Sequence, residues 1–558
     1  MATESPLERL DMEPREKGLI SAFIAMGLVS LGLGVLAALV VASARVPALP
    51  LAGRALYYKA LTFHAIFTLF YWFTFFQAGL LVGAVPLLMR GRRLYSLRLG
   101  WLAFALLLLG FLLDVAGILM GADVLYTAFP PLATGLQGSS LVYLGYVLGG
   151  MGALLITVNY LLTVVGLVER KGEAASWRRM LADIPISAFA GLVAVVLIIP
   201  TSLASLRVFA PALLAAMAGA APDPLVYREN FLMMFHVFHY IPAMTMIGVA
   251  YMLVELVLDA KSVYSKNVAK ALFVLYPAVV PPTFFYHLLV DPTTSPLVKG
   301  LGSSLSLLIG MPTILHMFII LGMMEARVRS AGHGGLFAWM RHLPWRNPAF
   351  VCLAMGMLTM GLGGVLSYTL IHWGASEMLH GTFAVPAYIH PIAAGGPTLI
   401  YMGGAYYLVT GLTRRQLRYP SLARLQPCMV ALGLLIFGTF GSIAGYLGVP
   451  RRTPEISYSG LAPSAWSLPM NIAVGIGAVL TALGILTFLF IVGATALRGE
   501  RAEGLGVFKG LEPPALPVVR EVKETPTALV PGIVFICLAI LLTILAFQLM
   551  EAWPISFR

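Results

Sequence analysis

The chain has 558 residues, of which 59% are hydrophobic and only 11% charged, less than half the charged share of an ordinary water-soluble domain, so a soluble globular protein is excluded. Lys and Arg number 36 against 24 Asp and Glu, a formal net charge of +12. No long basic run interleaved with aromatics accompanies that excess, so nucleic acid is not the partner.

Residues 1–17 are polar and mixed in charge, and the apolar stretch after them is too long for a signal-peptide core, so they read as an N-terminal tail. Thirteen apolar stretches of about 20 residues or more follow. They span 18–44, 57–89, 99–120, 139–168, 184–206, 228–258, 271–289, 301–324, 350–371, 384–410, 429–447, 469–496 and 529–549. Only short connections remain between them. The expected fold is therefore an all-α integral membrane protein, one bundle of about thirteen transmembrane helices over 18–549, with 550–558 as a C-terminal tail.

An odd number of spans puts the two tails on opposite sides. About three quarters of the Lys and Arg then fall on the N-terminal side, which the positive-inside rule makes cytoplasmic, with 550–558 periplasmic. Arg451 and Arg452 run against that bias: they are adjacent in an outer loop after Gly448-Val449-Pro450. They read either as a solvated surface pair or as the partner of an anion, and paired arginines suit carboxylates through bidentate hydrogen bonds.

Ionisable or ligand-forming side chains are costly at membrane depth, so each is a functional candidate. His64 lies about seven residues into the second span and His390 about six into the tenth, both counted from outside; at 1.5 Å per residue each is about 10 Å deep. Two imidazoles at one depth can clamp one metal. His236 in the sixth span and His287 at the outer end of the seventh share that outer third. A lone helical histidine is ordinarily a hydrogen-bonded core residue. Four from four spans at one depth favour a metal or heme site, since imidazole is a common ligand of iron and copper. Tyr240 follows His236 by one helical turn, which puts a phenol beside the candidate metal, although an isolated pair of this kind would be packing. His239 faces elsewhere on the same helix.

These residues carry a resemblance to subunit I of the heme-copper oxidase superfamily, cytochrome c oxidase subunit I of the B-type branch, over nearly the whole chain. The similar stretches are Tyr57-Tyr58-Lys59-Ala60-Leu61-Thr62-Phe63-His64, Val124-Leu125-Tyr126-Thr127 with Phe129-Pro130-Pro131-Leu132, and Asp223-Pro224-Leu225-Val226. Others are His287 with Asp291-Pro292, Leu343-Pro344-Trp345 with Asn347-Pro348-Ala349-Phe350, His380-Gly381-Thr382, Val385-Pro386 and Val449-Pro450-Arg451-Arg452. The resemblance implies a low-spin heme held by His64 and His390, with Arg451 and Arg452 on its propionates. It also implies a high-spin heme facing a copper, with His236 and His287 as copper ligands and Tyr240 as the catalytic tyrosine.

Two positions depart from the family pattern. Its consecutive copper-ligating histidines read Tyr286-His287, and its H-x-H pair serving both hemes reads Tyr388-Ile389-His390. One copper ligand and the proximal ligand of the high-spin iron are thus tyrosines. Axial-ligand identity tunes heme potential over about 0.8 V, and a free phenol, with a pKa near 10, must lose its proton to bind iron. On the proton route that the family implies, Tyr251, Thr313 and His316 match, and Ile247 replaces a tyrosine. Asp114 in the third span has no assigned role.

The leading expectation is subunit I of a respiratory terminal oxidase that reduces dioxygen to water at a modified heme-copper centre. The alternative is a b-type cytochrome subunit whose binuclear centre has been lost or repurposed. A nitric oxide reductase relative would need a carboxylate beside a non-heme iron, and only Glu229 at a helix mouth is on offer. A transporter would gather its polar residues at the midplane. Cys352, Cys428 and Cys537 lie scattered in apolar stretches and build neither a disulfide framework nor a dinuclear copper site. Electrons are therefore expected from other oxidase subunits, through one at which they enter, fed by cytochrome c, a small copper protein or quinol. The expected location is a bacterial or archaeal plasma membrane.

Overall fold

The computed structural model describes residues 6–11, 14–48, 53–89, 93–124, 129–169, 181, 183–219, 222–260, 266–454, 456 and 460–519. Among these residues the chain is helical, and its only β pairing is two isolated bridges, Thr382 with Pro450 and Arg415 with Arg501. After a short helix at Pro6–Asp11 come α1 (Lys17–Arg45), α2 (Arg54–Gly83), α3 (Leu97–Met120), α4 (Ser139–Glu169), α5 (Ile186–Ala218) and α6 (Pro224–Leu258). The second half holds α7 (Lys266–Val279, continued by Pro281–Leu288), α8 (Pro296–Ser330), α9 (Pro348–Ile371), α10 (384–413), α11 (Pro420–Tyr446) and α12 (Ser464–Arg498).

Ten of these are long and apolar enough to cross a membrane, and α7 makes an eleventh when its two parts are taken together across a 46° bend. The bend falls at Pro281-Pro282, where two residues lack the N–H that a helix needs. The remaining one, α10, is helical throughout 384–413 but rich in Gly, Pro and polar residues. Twelve of the thirteen expected spans each fall on one described helix; the thirteenth, 529–549, lies outside the described residues, as do Cys537, the tail 550–558 and residues 125–127. The multi-pass membrane fold follows from this arrangement, because only helices satisfy their own backbone inside lipid.

Local sequence sets the helix starts. Asp223 caps α6, its carboxylate accepting from the Leu225 and Val226 N–H groups at 2.9 and 3.3 Å, with Pro224 in the first turn. Asn347 caps α9 in the same way, before Pro348. Two stretches of the resemblance are thus helix-start devices. Sequence neighbours pack side by side, and α12 lies against both α11 and α1, which closes the bundle. On α3, Leu102, Leu109, Leu112 and Leu119 are exposed, an apolar face suited to lipid.

Candidate functional site

His64 on α2 and His390 on α10 face each other, their ring centres 6.0 Å apart and their planes within 11° of parallel. Each ring is oriented by a backbone carbonyl: His64 Nδ1–H donates to Gly34 O at 3.0 Å, and His390 Nδ1–H to Pro386 O at 2.8 Å. With Nδ1 holding the proton, the Nε2 lone pair of each ring is left for a metal. A metal–imidazole bond of about 2.0 Å, plus about 1.1 Å from nitrogen to ring centre, puts two opposed imidazoles about 6 Å apart. The observed pair has that spacing.

The rings open into a cavity of about 280 Å³ bounded by α1, α2, α10, α11 and α12 and, at one end, by Arg451 and Arg452. Its walls are otherwise mostly aliphatic and aromatic, the surroundings that a porphyrin face needs. Arg451 N–H donates to Gly381 O at 3.0 Å, tying the arginine loop to the segment before α10, and Arg452 takes a left-handed backbone with φ +62°. Nearby, burial and the charges of Arg451 and Arg452 hold the His380 imidazole down to about 4, so it is neutral at neutral pH. The donor set and the shape fit a low-spin heme held by His64 and His390.

Both ligand helices are locally unwound beside the cavity. The turn after His64, Ile66–Tyr71, and the turns after His390, Pro391–Thr398, are π-helical, a form that recurs at functional sites. In α10 the cause is legible, since Pro391 and Pro397 flank Gly395-Gly396. Trp72 Nε1–H donates to Thr398 Oγ1 at 3.2 Å, joining the two helices below their histidines. Sequence reasoning missed this bond, the π turns and Arg45, which also borders the cavity.

The other expected residues also converge, but differently. His236 Nδ1 and His287 Nε2 are 3.1 Å apart, and His236 Nε2 lies 2.7 Å from Thr283 Oγ1, which itself donates to Val280 O at 2.7 Å. Because the Thr283 hydroxyl proton is committed to Val280, His236 Nε2 carries a proton and donates; His236 Nδ1 then accepts from His287 Nε2–H. Tyr240 sits with its ring centre 5.0 Å from that of His236. His239 turns away, donating from Nδ1 to Phe235 O at 2.6 Å. The pair is held in register from outside the bundle, where Asp291, just past His287, pairs with Arg228 on α6. The hydrogen bonds from Thr293, and then that guanidinium, keep the Asp291 carboxyl below its usual range.

Tyr286 and Tyr388 meet directly, their hydroxyl oxygens 3.2 Å apart. In the family pattern these positions lie on opposite faces of the high-spin heme. A flat ring between two groups needs about 3.5 Å on each face, about 7 Å in all, so the residues present do not fit a second heme. The copper set is also short. Two imidazole nitrogens 3.1 Å apart suit neighbouring ligands of one ion, yet among the described residues no group of three or more His, Cys, Asp or Glu could hold a metal. The histidine expected as a third ligand is Tyr286, whose hydroxyl is turned to Tyr388.

Elsewhere, Tyr251 OH is 3.0 Å from His316 Nδ1, and Tyr276 OH is 2.7 Å from Thr313 Oγ1, so the expected polar positions of α6 and α8 each have a partner. Asp114 is fully buried and accepts from Tyr71 OH at 2.8 Å. Glu229 is exposed, and no carboxylate approaches the His236–His287 pair among the contacts above.

Comparison with known proteins agrees with this architecture. The family model for cytochrome c and quinol oxidase polypeptide I matches residues 18–480. Cytochrome c oxidase subunit 1 of Thermus thermophilus is 30% identical over 485 residues, covering 82% of this chain and 80% of that protein. A probable cytochrome c oxidase subunit 1-beta of Nocardia farcinica is 23% identical over 499 residues, covering 86% and 78%. A cryo-EM structure of a heme-copper terminal oxidase dimer shares the fold, with a TM-score of 0.78 and 21% identity, over 96% of this chain and 92% of that one. The family's cofactors are heme and copper and its chemistry is that of oxidase-type oxidoreductases. The chain belongs to the heme-copper oxidase superfamily as a subunit I, the large multi-pass membrane subunit of terminal oxidases.

Proposed function

We propose that this chain is the electron-carrying subunit I of a respiratory terminal oxidase complex, with a low-spin heme between His64 and His390. The observation that carries the reading is the pair of parallel imidazoles 6.0 Å apart, each with its Nδ1 proton tied to a carbonyl, at the wall of an apolar cavity with arginines at one end. When bound, the heme supplies one reversible electron transfer. The chain's part is to orient the two ligands, exclude water from the porphyrin faces and neutralise the propionates through Arg451 and Arg452. The electrons come from another subunit, fed by cytochrome c, a small copper protein or quinol. The skew of Lys and Arg supports a cytoplasmic N-terminus; an N-terminal tag accessible only from the cytoplasmic side of the plasma membrane is the expected result, and access from outside overturns it.

For the dioxygen end two readings compete. A modified heme-copper centre with Tyr240 as electron and proton donor has family membership and the His236–Tyr240 juxtaposition in its favour. A cytochrome whose binuclear centre has been lost or repurposed is favoured by the Tyr286–Tyr388 contact, which occupies the place of the second heme. The Tyr286–Tyr388 geometry supports the second reading, and family membership supports the first. Counting heme and copper per chain in the purified complex, with a reduced-plus-carbon-monoxide difference spectrum, decides it. One heme, no copper and no carbon monoxide shift are expected for this chain. Two hemes with a shift restore the dioxygen-reducing centre to it.

A further inference from the structure

Between His64 and Trp72 the α2 helix passes through the π turn Ile66–Tyr71, which carries one residue more than the α-helical turn it replaces. One extra residue rotates the helix before it by about 100° relative to the helix after it. The aim of His64 at His390 therefore depends on that turn staying π-wound. Its end nearer His64 is held from α1, where Ser30 Oγ donates to Phe67 O at 2.8 Å and the Gly34 carbonyl takes the His64 proton. Its far end is held from α3. Tyr71 OH donates to Asp114 Oδ2 at 2.8 Å, and Phe111, about one turn before Asp114, meets Tyr71 and Phe67 edge to face at 5.3 and 4.9 Å. Tyr71 and Asp114 are both fully buried, and Asp114 Oδ1 has no hydrogen-bond partner among the described residues. Gly145 on α4 makes room for it, since a Cβ there would collide with that oxygen.

We infer that Asp114 is a positioning residue of the low-spin heme site: through Tyr71 it locks the π turn of α2 and so fixes the direction in which His64 points. A carboxyl at membrane depth with one oxygen unpaired is costly, so packing alone does not account for it. Relaxation of the turn to ordinary α-helix would swing Tyr71 away from α3 and leave its hydroxyl buried without an acceptor. The bond therefore penalises the relaxed winding. One residue on, the Trp72 bond to Thr398 holds the same register against α10. The plainer alternative is that Tyr71 and Asp114 only join α2 to α3. The two differ in one consequence: a joint between helices can be exchanged for an apolar contact without effect on the heme, and a lock on the winding cannot.

The inference rests on the proposed heme between His64 and His390, and its test separates the two. Asp114→Asn, Asp114→Leu and the double variant Tyr71→Phe with Asp114→Leu are made in the full complex, and heme content, melting temperature and the low-temperature paramagnetic resonance spectrum of the ferric heme are measured. D114N keeps an oxygen that accepts from Tyr71 and is expected to keep the parent spectrum. In the double variant both partners are apolar, an exchange that leaves stability nearly unchanged. Its melting temperature is expected to stay near that of the parent while the ratio of bis-imidazole to other ferric heme falls about fivefold, the equilibrium weight of one hydrogen bond. A double variant with the parent spectrum, or D114N as altered in spectrum as D114L, overturns the lock. Should the double variant not assemble, a parent spectrum in D114N beside a diminished bis-imidazole signal in D114L supports it. A parent protein without a six-coordinate heme overturns the underlying reading before any variant is compared, and this inference with it.

Discussion

By the resemblance, Tyr388 matches the position of the proximal histidine of a second heme, and a phenol reaches further from the backbone than an imidazole does. That extra length brings its hydroxyl to the Tyr286 hydroxyl, 3.2 Å away. The two replacements fall on opposite sides of one space and meet across it, so they act as a pair. Replacing only one leaves the other phenol in the way. The double variant Tyr286→His with Tyr388→His is expected to gain a carbon monoxide-reactive heme, read by the difference spectrum, with each single variant gaining much less; a double variant indistinguishable from the parent contradicts the closure of this space by the phenols. Beside it, the His236–His287–Thr283 chain is complete as a hydrogen-bond relay without a metal, since each N–H and hydroxyl proton in it has an acceptor.

At the scale of helices, close approach makes the low-spin site. Gly34 on α1 lies so near α2 that a Cβ there would meet Thr68 Cγ2 at 2.4 Å and the Thr68 backbone nitrogen at 3.0 Å. That proximity is what lets the Gly34 carbonyl reach His64. Gly34→Ala is expected to part the two helices, with a cost of about 1–3 kcal/mol for the overpacking, and to lower both heme occupancy and thermal stability. Full heme content with an unshifted melting temperature would mean that the contact is dispensable. The twelve described spans, their order and the positions of His64 and His390 along α2 and α10 were legible in the sequence, because hydropathy and a rise of 1.5 Å per residue are local properties. The π turns after both histidines, the Trp72–Thr398 bond and the Arg45 contact with Pro450 were not, since each depends on which helices become neighbours. Arg45 did leave a trace: it is one of the minority of basic residues on the outer side of the expected topology. The departures at Tyr286 and Tyr388 could be read from motif positions, but that their hydroxyls meet could not.

For the whole molecule, a bundle of twelve described helices keeps the frame of an oxidase subunit I around two clusters of histidine, tyrosine and arginine side chains. One half retains paired imidazoles, an apolar cavity and arginines at its end. In the other, hydrogen bonds join Tyr286 with Tyr388 and His236 with His287 and Thr283. Electron transfer needs only the first half. The most direct measurement is low-temperature electron paramagnetic resonance with near-infrared magnetic circular dichroism of the oxidised, purified complex. A low-spin ferric signal with the bis-imidazole charge-transfer band, abolished separately by His64→Ala and by His390→Ala, is the expected result. A complex without that band, or one in which it survives both substitutions, contradicts the heme site at residues 64 and 390.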